Sequence, residues 1–164
     1  MNPVRLFGCC VVLALAVLTG CAQAPQQTQA REDAAQWRGR LALRVDNQAA
    51  QSFFASFELS GHAHAGELLL SGPLGSAVAD LQWAPHVAVL RSNGQTQSFD
   101  SLQALATQAT GTSIPIAALF HWLRGESVQE AGWQADLSEL AQGRLLARRT
   151  YPAPAAELRL ILEP

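Results

Sequence analysis

The chain has 164 residues, 49% hydrophobic and 15% charged, with a net charge of −2. That composition fits one globular domain with a sizeable core and excludes both a disordered chain and two large domains. All 11 basic residues are arginine, set against 13 Asp and Glu, and no basic footprint concentrates as it would in a nucleic-acid-binding protein.

Residues 1–5 form a short positive region, residues 7–18 an apolar run too short to span a bilayer comfortably, and Leu18-Thr19-Gly20-Cys21 closes it. Residues 1–20 therefore read as a signal peptide. Leu18 to Cys21 resemble the bacterial lipobox, which implies a diacylglycerol thioether at Cys21, cleavage before it and acylation of the new amino group. Several acyl chains give stable anchoring. Ala22 follows the anchor, not the Asp that commonly retains lipoproteins in an inner membrane, and this favours a periplasm-facing location on the outer membrane. Cys9 and Cys10 leave with the leader, so Cys21 is the single mature cysteine. The exported domain, residues 31–164, must then fold on its core with no disulfide. Residues 21–30, rich in Gln, Ala and Thr, read as an acylated flexible tether.

From Trp37 the pattern alternates. Trp37, Gly39, Leu41, Leu43 and Val45 fall on one face, with Arg38, Arg40, Ala42, Arg44 and Asp46 on the other, the period of a half-buried strand. A turn at Asp46-Asn47-Gln48 leads to a strand over residues 51–59, with Phe53, Ala55, Phe57 and Leu59 together and Phe54 opposite. Residues 61–66 read as a turn, residues 67–71 as a strand through Leu68, Leu69 and Leu70, and Gly72-Pro73-Leu74-Gly75 as an interruption. Alternation resumes over residues 76–83 through Ala77, Ala79, Leu81 and Trp83. Residues 87–91 form another strand, and Asn93-Gly94 signals a hairpin into residues 96–99.

The period then becomes helical, giving an insertion at about residues 100–124. Asp100 or Ser101 can cap a first helix carrying Leu102, Leu105, Ala106 and Ala109 on one face, stopped by Gly111. Ser113 can cap a second, with Pro115 in its first turn and Ile116, Leu119, Phe120 and Leu123 at helical spacing, ended by Gly125. Three strands follow, over residues 132–138, 144–151 and 157–163. The fold class is mainly β: a curved antiparallel sheet or open barrel with a short helical lid. The pattern is equally compatible with helices that plug one end, and with an interior that is filled or hollow.

Chemistry-bearing constellations are sparse. No nucleophile elbow, Cys-His pair or phosphate-cradling glycine loop occurs, so no enzyme and no cofactor is expected. His62 and His64, near Glu67, have a spacing that metal ligands can use, but they sit in a turn with no further His or Cys to complete a set. The expectation is no metal. Phe120 and Trp122 read as core.

Lipobox, tether, Trp37-Arg38-Gly39-Arg40-Leu41-Ala42, the Gly72-Pro73-Leu74-Gly75-Ser76 turn after three leucines, Ile114-Pro115-Ile116 leading to Leu119, Trp122, Leu123 and Gly125, and Gly132-Trp133 together resemble the LolB family across nearly the whole mature chain. The resemblance implies an outer-membrane lipoprotein that receives acylated lipoproteins from the periplasmic carrier LolA and inserts them into outer-membrane phospholipid, acting as a monomer. It implies an open barrel with an apolar interior for acyl chains, to which Leu41, Leu43, Phe53, Phe57, Leu68, Leu70, Leu81, Ile116, Leu119, Phe120 and Leu123 are assigned as cavity and lid candidates. It also implies that Leu74, between Pro73 and Gly75, protrudes to engage the membrane; composition alone allows equally that Leu74 folds back onto the core. The alternative is an outer-membrane lipoprotein whose filled barrel serves as a scaffold or assembly subunit.

Overall fold

The computed structural model describes residues 35–46, 51–110 and 114–164. The expected signal peptide, Cys21 and its tether, Asn47, Gln48, Gly111 and Ser113 lie outside the described residues.

Nine strands form one sheet: β1 (Gln36–Asp46), β2 (Gln51–His62), β3 (Ala65–Ser71), β4 (Ala77–Ala84), β5 (Val87–Ser92), β6 (Gln95–Phe99), β7 (Trp133–Asp136), β8 (Arg144–Arg149) and β9 (Ala155–Leu162). Their order is β6-β5-β4-β3-β2-β1-β9-β8-β7, and each neighbouring pair is antiparallel. The sheet is therefore open, with β6 and β7 at its edges.

Alternation explains which face is buried. Leu43 and Val45 of β1, Phe57 and Leu59 of β2, Leu68, Leu81 and Trp83, and Leu158 and Leu160 of β9 belong to one apolar cluster. The register stacks them in rows, with Leu59 opposite Leu68 and Leu68 opposite Leu81. The other face is mostly polar, with Phe54 and Ile161 exposed on it. On it Arg148 and Arg159 both donate to Glu157, at 2.8 and 2.7 Å.

Two helices cover part of the buried face: α1 (Leu102–Thr110) and α2 (Ile116–Leu123). Ser101 caps α1, its Oγ accepting the Ala104 N–H at 3.1 Å. The first residue of α2 follows Pro115, which occupies the cap position rather than the first turn. A Schellman closure ends α2, with Gly125 N–H donating to the Trp122 carbonyl and Glu126 N–H to that of His121. Gly125 adopts φ +81° there, as this motif requires. The burial of α2 exceeds one stripe: Ala118 and Trp122 are enclosed along with Ile116, Leu119, Phe120 and Leu123.

Several boundaries differ from those read in the pattern, for local reasons. The reversal expected over residues 61–66 shrinks to Ala63 and His64, because pairing continues through Gly61 with Gly66 and His62 with Ala65. Trp83 Nε1–H pins this hairpin by donating to the His62 carbonyl at 3.1 Å. The strand expected to reach Ser138 stops at Asp136, whose Oδ1 accepts the Ser138 N–H at 3.0 Å and turns the chain. Strand β8 ends at Arg149 rather than Tyr151, since Pro152 and Pro154 restrict the residues around them.

Candidate functional site

An apolar cavity of about 450 Å³ lies between the sheet and the helices. This lies within the roughly 300–1,000 Å³ of small-molecule sites. Strand β1 contributes Leu41, Leu43 and Val45, β2 Ser52, Phe53 and Phe57, β3 Leu68 and Leu70, β4 Leu81, and β9 Leu158 and Leu160. Ala106 of α1, Ile114, and Ile116 and Leu119 of α2 line it from the helical side. No lining residue is charged and Ser52 is the one with a polar side chain. Such a surface can hold an aliphatic group by excluding water from it, and offers nothing to activate a bond.

One end of the interior is closed by aromatic rings. Phe120 meets Trp37 edge-to-face at 5.7 Å and Trp83 at 6.1 Å. Trp122 is fully buried, and its Nε1–H donates to the Val128 carbonyl at 2.9 Å. These contacts tie α2 to β1, β4 and the segment that follows it. The other end is less covered: Phe53, which lines the cavity, is 39% exposed.

Of the residues assigned to the cavity and lid from sequence, Leu41, Leu43, Phe53, Phe57, Leu68, Leu70, Leu81, Ile116 and Leu119 line it together. Phe120 and Leu123 are buried in the core and are not among the lining residues. The sequence reading did not assign Val45, Leu158 or Leu160, although the same alternation that marked their strands places them inward. Ile114 precedes the helical face, so periodicity carried no signal for it.

The reversal between β3 and β4 presents Leu74 at 97% exposure. Folding back onto the core is therefore ruled out. The tip is closed by Gly75 N–H donating to the Gly72 carbonyl and Gly72 N–H to that of Ser76, both at 2.9 Å. Pro73 holds the preceding torsion. This loop is fixed by its own backbone bonds while its apolar side chain points into solvent.

The titratable side chains gather away from the cavity. At the end of α2, Glu126 accepts from His121 and Arg124, and these hydrogen bonds hold its carboxyl below the usual value. His62 Nδ1 accepts the His64 N–H at 3.2 Å, a contact within the hairpin. Among the described residues no three His, Cys, Asp or Glu side chains gather as a metal-binding group.

The family model described as "Outer membrane lipoprotein LolB" matches residues 33–153 of the chain. The outer-membrane lipoprotein LolB of Bordetella pertussis is 33% identical, over 98% of this chain and 94% of its own. That of Dechloromonas aromatica is 31% identical over 77% of this chain and 78% of its own, and that of Shewanella woodyi 32% over 73% and 59%.

Proposed function

This chain belongs to the LolB family and is an outer-membrane lipoprotein of the Lol pathway, and we propose that it takes acylated lipoproteins from the carrier LolA into its apolar cavity and inserts them into the outer membrane. The observation that carries this reading is the cavity itself, about 450 Å³ lined by 15 residues of which none is charged. An acyl chain gains roughly 0.8 kcal/mol for every methylene kept from water. Passage from one apolar cavity to another, and then to a bilayer, keeps that gain at each stage. No bond is made or broken and no nucleotide is needed.

In this reading Cys21 is acylated and anchors the chain, the tether lets the domain approach the carrier and the bilayer in turn, and Leu74, held between Pro73 and Gly75, dips into lipid at the moment of delivery. The reading takes the protein to act as a monomer. The scaffold reading, with a filled barrel, has the volume of the cavity against it.

The test is uptake of a polarity-sensitive apolar fluorophore by the mature chain, followed by its displacement with an acylated lipoprotein. Stoichiometric uptake and competitive displacement are expected, and Leu41→Trp, which fills the cavity, should weaken both. A chain that takes up neither fluorophore nor lipoprotein would overturn the assignment.

A further inference from the structure

We infer that contact with the bilayer is made by an apolar rim along one end of the sheet, running from Leu74 through Phe54 to Tyr151, and not by Leu74 alone. The inference rests on the reading of Leu74 as a lipid contact and extends it to residues in two other parts of the chain.

Seven large hydrophobic residues are exposed among the described ones: Phe53, Phe54, Leu74, Val78, Val87, Tyr151 and Ile161. Strand register sorts them by end. Strand β3 stops at Ser71 opposite Ser56, so residues 52–55 of β2 run past it on the side where the Leu74 reversal emerges. Phe53 and Phe54 lie on that overhang. Val78 opens β4 directly after the same reversal. Across β1, Asp46 pairs with Ala155, which puts the β8–β9 connection and Tyr151 at this end too. Val87 and Ile161 lie toward the opposite end, Val87 beside Ala84 and Ile161 beside Arg144.

Within the rim, Leu74 is 97% exposed, Tyr151 80% and Phe54 68%. They sit on the β3–β4 reversal, on β2 and on the β8–β9 connection, with β1 between the last two and neighbouring strands about 4.8 Å apart, as separate points. A protein partner needs contiguous complementary surface, whereas a fluid lipid surface fills in around each point. Tyr, apolar in body and polar at its tip, suits the headgroup level. Of the charges nearby, Arg44 pairs with Asp46 and Arg91 with Asp80, each at 3.2 Å, and Arg148 and Arg159 share Glu157. The cavity meets this end at Phe53, so a rim seated on lipid brings the cavity mouth to the bilayer.

The anchor permits this seating. Strand β1 begins at the far end and is 11 residues long, or roughly 35 Å. The 14 residues 21–34 reach up to about 46–50 Å when extended. A domain tethered at Cys21 can therefore lay its opposite end on the same membrane.

The test uses the lipidated full mature chain. Because the sulfur of an acylated Cys21 is a thioether, a cysteine introduced elsewhere is the sole free thiol, and the unsubstituted chain serves as the labelling blank. Phe54→Cys, Leu74→Cys, Tyr151→Cys, Val87→Cys and Ile161→Cys are each labelled with a polarity-sensitive fluorophore. They are then reconstituted in vesicles of phosphatidylethanolamine and phosphatidylglycerol carrying nitroxides on the acyl chains. A blue shift and loss of most of the fluorescence are expected at positions 54, 74 and 151, with neither at 87 and 161. Quenching at 74 alone overturns the rim and leaves the Leu74 reading standing. Quenching at none overturns both, and equal quenching at all five overturns the rim as a defined surface.

Discussion

Replacing Leu74 by Glu separates a lipid contact from a structural residue. With 97% of the residue exposed, the substitution removes almost no packing, and such surface changes stay within about 0.5 kcal/mol of the parent stability. That corresponds to a melting-temperature change of no more than about 3 °C for a domain of this size. In lipid the same change forfeits the roughly 1.5–3 kcal/mol that burial of a Leu contributes. It also presents a carboxylate that resists leaving water. At about 1.4 kcal/mol for each tenfold, membrane engagement should weaken roughly ten- to a hundredfold. Three measurements on one preparation are needed: thermal unfolding, receipt of a lipoprotein from the carrier, and delivery to liposomes. Unfolding and receipt should be unchanged and delivery impaired, while Leu74→Phe should deliver normally. A core position behaves otherwise; Leu59, 1% exposed, should cost about 2–5 kcal/mol on truncation to Ala and harm every step together. If Leu74→Glu unfolds several degrees early, loses receipt in step with delivery, or delivers normally, the reasoning from exposure to lipid contact is wrong.

Cys21→Ala should release the mature chain into the soluble periplasmic fraction while leaving uptake of cargo intact; cell fractionation that still finds it in the membrane would refute the anchor. Gly132→Ala should strongly destabilise the domain, because a Cβ there would sit 1.8 Å from the Tyr151 carbonyl oxygen at φ +80°, and the backbone strain alone costs about 1–3 kcal/mol; a melting temperature equal to the parent's would contradict this. Hydrogen bonds from Arg148 and Arg159 hold the Glu157 carboxyl below its ordinary value of 4.5, and Arg144 does the same for Glu139. Groups with lowered folded-state values contribute stability that is present above the ordinary value and lost as pH falls through the folded one. Thermal melts should therefore hold steady from neutral pH down to about 5 and decline below about 4.5. Replacing Arg148 and Arg159 together by Ala should make the decline shallower, and an unaltered acid slope would show that this cluster is not its source.

Much of the fold was legible because most strands have one face in the core and the other in solvent, edge strand β6 excepted. Arg38, Arg40 and Arg44 alternating with Leu41, Leu43 and Val45 leave one workable register face. What escaped the pattern were features that depend on more than one element. Ala118 lies off the helical stripe, and becomes buried only because α2 is enclosed on nearly every side. The side-chain bond from Asp136 to the Ser138 backbone shortened β7, and alternation is blind to it. Leucines facing a filled core and leucines facing a cavity have the same periodicity, so hollowness had to come from the volume the elements enclose. Leu74 was ambiguous for a related reason: burial is the ordinary fate of Leu, and its exposure follows from two backbone hydrogen bonds across a Pro-Leu-Gly tip. The glycines in the matched motifs also acquire reasons. Gly39 lets β9 approach, since a Cβ would lie 2.0 Å from the Ile161 carbonyl oxygen, and Gly132 lets the β8–β9 connection pass.

That β6 and β7 do not pair with one another bears on how much the interior can hold. In a closed barrel, strand number and shear fix the diameter, and widening it means breaking a ladder. A sheet with two edges can uncurl through small changes of twist, keeping every interstrand hydrogen bond. The cavity of about 450 Å³ can then widen by relaxing curvature. The edges tolerate this: β6 reads Gln-Thr-Gln-Ser-Phe with four exposed polar residues, and β7 is four residues long, so neither offers an inviting template to another strand. Both helices set the resistance to opening, α1 through its contacts with β5, β6 and α2, and α2 through Phe120 against Trp37 and Trp83.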